Sequence, residues 1–284
     1  MEHEQEATQR LEELKRLSQY CSELLRLENI DPTDLYSRKA YTYSLFIFGL
    51  SFVDGLITLA ERGQARSMEP LVRGLQEAWI NSMFVYSTRC NVWMYYLLLQ
   101  DELQTAKKHR QFYADGKIEK VRYEKRSKES RRMISLIDQR YKELPLIPKV
   151  ITVKDQSLHT RKLNLKQRCQ IIDHYRSLKP RKSKTTLISQ IEHYELVYGH
   201  LSGTSHVTPL ALNSLYRRDS SGNLSVDISG GNDRRYMGVL LMNGYLYYYW
   251  LMRLFLDKVA ADRHPIPDDI KASRRRIMAK RLTD

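Results

Sequence analysis

"YTYSLFIFGLSFVDGLITLA", residues 41–60, carries a single charge, Asp54, and its reading decides between a membrane protein and a bundle of buried helices. Twenty apolar residues are about what a helix needs to cross a bilayer. Asp54 near the end, with Ser44 and Ser51, makes this a poor span, because an ionised carboxylate is costly in hydrocarbon. A second stretch, "YMGVLLMNGYLYYYWLM" at residues 236–252, holds Asn243 and only 17 uncharged residues before Arg253. Both read as core helices. The predicted fold class is therefore all-α, a helical bundle with long helices. Its 284 residues, 42% hydrophobic with 19 Tyr and only 12 Gly and 8 Pro, can fill such a core.

Working outward, residues 5–28 place Leu11, Leu14, Leu17, Cys21, Leu24 and Leu25 on one stripe, an amphipathic helix that packs on the body or pairs with another copy. "DPTD" at residues 31–34 is a turn, with Thr33 able to cap the next helix. A third helical region opens near Ser67, with Pro70 in a first turn, and a break is expected at residues 89–91. Gly116 interrupts it, and a basic helix follows from Lys117 to about Leu144. "PLIPKVITVKD" (145–155) breaks the helical pattern, and Asn164 can cap a helix through residue 178. Residues 216–233 are turn-rich and predict a small hairpin or a mobile loop. A last apolar helix covers about 235–261. The chain divides into an amphipathic helix and turn (1–33), a principal helical domain (34–262) with a basic middle (107–184), and a basic tail (263–284), expected as a peripheral helix or a disordered arm.

The three cysteines show no CxxC or Cys/His metal spacing, and the opening "MEHEQEATQR" is the opposite of a secretory signal, so a cytoplasmic protein without metal or cofactor is expected. There is no Gly-rich nucleotide loop, HExxH helix or GxSxG elbow. Charge is the strongest signal. Residues 107–184 hold 24 Lys and Arg against 8 Asp and Glu, a net +16, and the remainder of the chain nets −2. Lys107, Lys108, Arg110, Lys125, Arg126, Arg131 and Arg132 on helices, and Arg181, Lys182 and Lys184 in the loop "SLKPRKSKTT", suit contacts to phosphates, with Tyr113 and Tyr123 interleaved. Glu119, Glu124 and Glu129 leave open a solvated face of intrahelical ion pairs. Nucleic acid, RNA favoured, is the expected partner; peripheral membrane association through the same face is a further reading.

Two separated segments hold the candidate chemistry. "RGLQEAW" sets Arg73 and Glu77 four residues apart, turned away from the apolar positions Leu71, Leu75 and Trp79; the plain reading is a mutual ion pair. "YELVYGHLSGTSHVTP" (194–209) places Tyr194, Tyr198, Ser202 and His206 at four-residue intervals. Ser202 with His206 could form a nucleophile and base, but no third orienting residue is identifiable. His206, where the helix should end, suits either proton exchange or a structural hydrogen bond.

"SMEPLVRGLQEAWINSMFVY" and "HYELVYGHLSGTSHVTPLAL" resemble the two signature segments of the bacterial domain-of-unknown-function family 5677, over about Tyr41 to Leu256. The resemblance implies that Arg73, Glu77, Tyr198, Ser202 and His206 converge in a helical bundle. A more distant similarity is to HEPN-type bundles, many of which cleave RNA with an Arg and a His four to six residues apart, often across a dimer. "RCQIIDH" supplies Arg168 and His174 as a second set, with Cys169 departing from the usual polar residue after the Arg. These resemblances imply a metal-independent ribonuclease, toxin-like or a phage-defence effector, and allow a homo-oligomer. The alternative is a non-catalytic nucleic-acid-binding or protein-interaction module. In the catalytic reading a His moves the proton and an Arg stabilises phosphate charge.

Overall fold

The computed structural model describes residues 2–27, 37–87, 92–142, 163–177, 189–192, 194–195, 216–218, 224–226, 234–260 and 264–281. Among them the chain is an all-α helical bundle with one small hairpin. The amphipathic α1 (Glu2–Leu27) buries Leu14, Leu17, Cys21 and Leu24 along its stripe. α2 (Arg38–Glu61) starts at Ser37, whose hydroxyl accepts the Ala40 N–H at 3.0 Å. It stops at Gly63, φ 71°, where the Gln64 N–H reaches back to the Leu59 carbonyl.

α3 (Ala65–Val85) begins earlier than the sequence suggests, so Pro70 lies inside the helix instead of in its first turn and removes the bond that position 70 would give to residue 66. α3 ends at Val85, Tyr86 and Ser87 leave the helix, and α4 (Val92–Ala114) follows; the kink or break expected at residues 89–91 lies outside the described residues. α4 ends at Gly116, φ 69°, with Lys117 N–H bonded to Phe112 O and Gly116 N–H to Tyr113 O; the chain then reverses into α5 (Lys120–Lys142). α6 (Leu165–Ser177) is opened by Asn164 in a reciprocal cap with Gln167, at 2.9 and 3.0 Å. β1 (Tyr216–Arg218) pairs antiparallel with β2 (Leu224–Val226), so the turn-rich segment contains the hairpin. α7 (Arg234–Lys258) and α8 (Asp268–Arg281) complete the described elements.

α7 is the axis on which α1, α2 and α3 pack. Its run of tyrosines is core: Tyr245, Tyr247 and Tyr248 are almost fully buried. Phe46 of α2 stacks on Tyr248 and Phe255 with centroids 5.4 and 4.4 Å apart, and Trp79 of α3 stacks on Trp250 at 4.7 Å. A Cβ on Gly49 would sit 2.9 Å from the Tyr248 ring, so glycine is what lets α2 approach α7 this closely. The other apolar stretch is only partly core. α2 buries Phe46, Val53, Leu56 and Ala60 but exposes Ile47 and Phe48, the latter 62% exposed, because it packs on neighbours along one side only. Among the described residues α2 is the one helix long and apolar enough to cross a membrane.

α1 and α8, set apart in sequence as a leading helix and a basic tail, pack into the same core. Glu13, almost fully buried, accepts from Arg10 at 2.8 Å and from Arg276 of α8 at 2.8 Å. Ile270 and Ile277 of α8 are buried, and the Tyr245 hydroxyl donates to the Ile270 carbonyl at 2.9 Å. α6 packs on α3, and α4 and α5 form an antiparallel helical hairpin.

Candidate functional site

The four-residue spacing that pairs Arg73 with Glu77 continues to Asn81, so one face of α3 presents all three. Arg73 Nε donates to Glu77 Oε1 at 3.2 Å, with the two side chains 27% and 42% exposed. That is the mutual pair expected on spacing alone. One turn further, Asn81 Oδ1 accepts from Arg168 Nη1 of α6 at 2.5 Å, and the Arg168 guanidinium sits 5.9 Å from the centre of the Phe84 ring. The Arg of one candidate set, Arg73, therefore lies on the α3 face that the Arg of the other, Arg168, contacts from α6. Asn81 was missed in sequence, although positions 73, 77 and 81 show it once the face is followed one more turn.

Arg168 and His174 are not brought together. Six residues along a helix turn a side chain about 120° away from the starting direction, so Arg168 faces α3 while His174 is exposed, its ring edge-on to Tyr175 at 5.7 Å. Cys169 between them is buried, and burial pushes its thiol up to about 12. Tyr41 of α2 is likewise pushed up to about 12, by burial first and by Asp101 second, with Arg168 working against both.

Tyr198, Ser202 and His206, and with them Arg181, Lys182 and Lys184, lie outside the described residues. The start of their segment is described. Asp173 of α6 accepts the N–H groups of Gln190 and Ile191 at 2.8 and 3.0 Å, and Ser189 and Glu192 cap each other reciprocally. Lys166 pairs with Glu195 at 2.7 Å, and Tyr194 packs against the core. Asp173, unremarked in sequence, thus ties the start of the Tyr194 segment to α6.

The basic middle forms a second site. Lys107, Lys108 and Arg110 of α4 and Lys125, Arg126, Arg131 and Arg132 of α5 are all exposed on the one helical hairpin. Of these seven, Arg126 alone meets a carboxylate among the described residues, Glu129 at 3.8 Å. Among the described residues, the hairpin's other ion pairs are Lys117–Asp115 and Lys120–Glu124, both exposed and of little energetic weight. Between the helices runs a groove of about 650 Å³, lined by Lys107, His109, Arg110, Tyr123, Ser127 and Arg131 over an apolar floor of Leu103, Ala106 and Ile134. Tyr113 and Tyr123 stack across the hairpin, centroids 4.5 Å apart and 8° from parallel. His109 is a groove residue that charge counting alone overlooks. Among the described residues no group of three or more His, Cys, Asp or Glu is placed to hold a metal ion.

Neither the curated proteins nor the solved structures contain a match to this chain. A family model does match, over residues 39–224. It starts in α2, near Tyr41 as the resemblance implied, and takes in the Arg73–Glu77 pair, the basic hairpin and the Tyr194 segment; it stops at β2, short of the Leu256 expected, and so leaves α1, α7 and α8 outside. With well over half of the 284 residues matched, the chain belongs to the family of unknown function DUF5677.

Proposed function

We propose that this protein acts on nucleic acid, RNA favoured, and holds the phosphate backbone with the α4–α5 hairpin. The observation that carries the reading is the concentration of seven exposed cations on that hairpin, six of them without a carboxylate partner among the described residues, with Lys107, Arg110 and Arg131 lining a groove of about 650 Å³. Cations of this kind bind phosphates by releasing condensed counterions, so affinity must fall with salt. Removing one phosphate-binding cation lowers the log–log salt slope by about 0.7 for a single strand. A variant carrying Lys107→Gln, Arg110→Gln, Arg131→Gln and Arg132→Gln should therefore bind labelled RNA more weakly, with a slope shallower by about two to three units. Equal affinity and slope in the variant and wild type would refute it.

A second reading, metal-independent RNA cleavage of the HEPN type by a cytoplasmic toxin-like or defence effector, is favoured by the α3 face, where Arg73 stays partly exposed about two turns from the Asn81–Arg168 contact. There Arg73 would stabilise phosphate charge and His206 would move the proton. It expects RNA cleavage that survives EDTA and is abolished in Arg73→Ala and in His206→Ala. Binding without turnover in wild type leaves the non-catalytic module.

A further inference from the structure

Resting on the nucleic-acid reading, we infer that the α4–α5 groove takes an unpaired nucleotide, so that the hairpin prefers single strands to duplexes. Three features of the groove point to a ligand with an anionic part and a flat part. Arg110, Lys107 and Arg131 supply positive charge along one opening. The Arg131 guanidinium is parked on its own helix, donating to the Ser127 carbonyl at 3.3 Å and hydroxyl at 3.4 Å; these long contacts are ones a phosphate would replace with short charge-assisted bonds. His109 lines the same groove, and its buried Nδ1 has no partner among the described residues, so a small turn of the ring toward an incoming phosphate oxygen or base edge would satisfy it. Glu102, beside Leu103 of the floor, accepts from the Ser130 hydroxyl at 2.6 Å.

The flat part meets Tyr123. Its ring lines the groove and is braced from behind by Tyr113, which fixes it at little further entropy cost. Base stacking on such a ring needs an exposed π-face, which paired bases hide and unpaired bases offer. The size agrees: about 650 Å³ lies within the roughly 300–1,000 Å³ of small-ligand sites.

The test measures full-length protein against a labelled 12-nucleotide single-stranded RNA and a hairpin-closed RNA duplex, for wild type, Tyr123→Leu, Tyr123→Phe, His109→Gln and the off-groove pair Lys125→Gln/Arg132→Gln. Wild type should favour the single strand. Tyr123→Leu should weaken single-strand binding about tenfold, the value of one stacked base, and leave the duplex unchanged. Tyr123→Phe should keep the preference, His109→Gln should reduce it, and the off-groove pair should weaken both ligands together. Equal binding of strand and duplex, or a preference that survives both Tyr123→Leu and His109→Gln, overturns the inference while leaving the hairpin as a phosphate-binding surface; binding of neither RNA overturns both.

Discussion

Removing Arg168 separates a structural role from a catalytic one, because the geometry of its contacts sets how much stability it carries. Its Nη1 donates to Asn81 Oδ1 across the α3–α6 contact, and its plane lies 5.9 Å from the Phe84 ring. A hydrogen bond from a charged donor contributes about 1.5–3 kcal/mol net, and a partly shielded cation–π contact about 0.5–1. Methionine keeps much of the stem volume and makes neither interaction, so Arg168→Met should cost about 2–4 kcal/mol, less whatever the buried Nε regains by no longer lacking a partner. At about 2–4 °C per kcal/mol for a chain approaching this size, the melting temperature should fall by roughly 4–16 °C. Asn81→Leu removes the same bond from the other side. The assay is a double-mutant cycle by thermal or urea unfolding, with RNA cleavage measured on the same four proteins. A coupling of about 1.5–3 kcal/mol is expected between the two positions. Additive effects, or an unchanged melting temperature with cleavage abolished in Arg168→Met alone, would refute the structural account and return Arg168 to the reacting centre.

Two further outcomes follow from buried groups. Glu13 is 2% exposed and pairs with Arg10, itself 5% exposed, so Glu13→Ala leaves that buried cation with the longer Glu6 contact at 3.7 Å and should cost up to about 3–5 kcal/mol, read by thermal unfolding, whereas Arg276→Ala on the more exposed arm should cost less. Burial raises the thiols of Cys21 and Cys169 far above neutral pH, Cys169 to about 12, and a raised pKa means the protonated, unreactive form dominates below it. At pH 8, alkylation followed by peptide mapping should leave both unlabelled in native protein and label both in denaturant; rapid native labelling of either would contradict their burial.

Local sequence was sufficient where the physics is local. The apolar stripe of α1, the Asn164–Gln167 cap of α6 and the left-handed Gly116 that ends α4 each depend on residues within about one turn of one another, so spacing shows them. The Arg73–Glu77 pair was legible for the same reason. Adding Asn81 needed only one more turn of the same face; knowing that Arg168, 87 residues away, would reach it did not follow from either segment.

The sequence by itself determined an all-α chain, the concentration of positive charge in its middle, and which residue types were available for chemistry, because periodicity and charge are properties of neighbours. Tertiary structure decided the rest. It made α7 a core axis and left Phe48 of the equally apolar α2 exposed, since burial depends on which neighbours arrive on each side. It drew α8 onto Glu13 across 263 residues and turned His174 away from the face that Arg168 occupies. Above all, it folded two basic helices back on each other at Gly116, so that His109, Tyr123 and Arg131 came to line one groove; only the packing of α4 against α5 places them there, because side chains on separate helices share a site through their crossing geometry and not through their order in the chain.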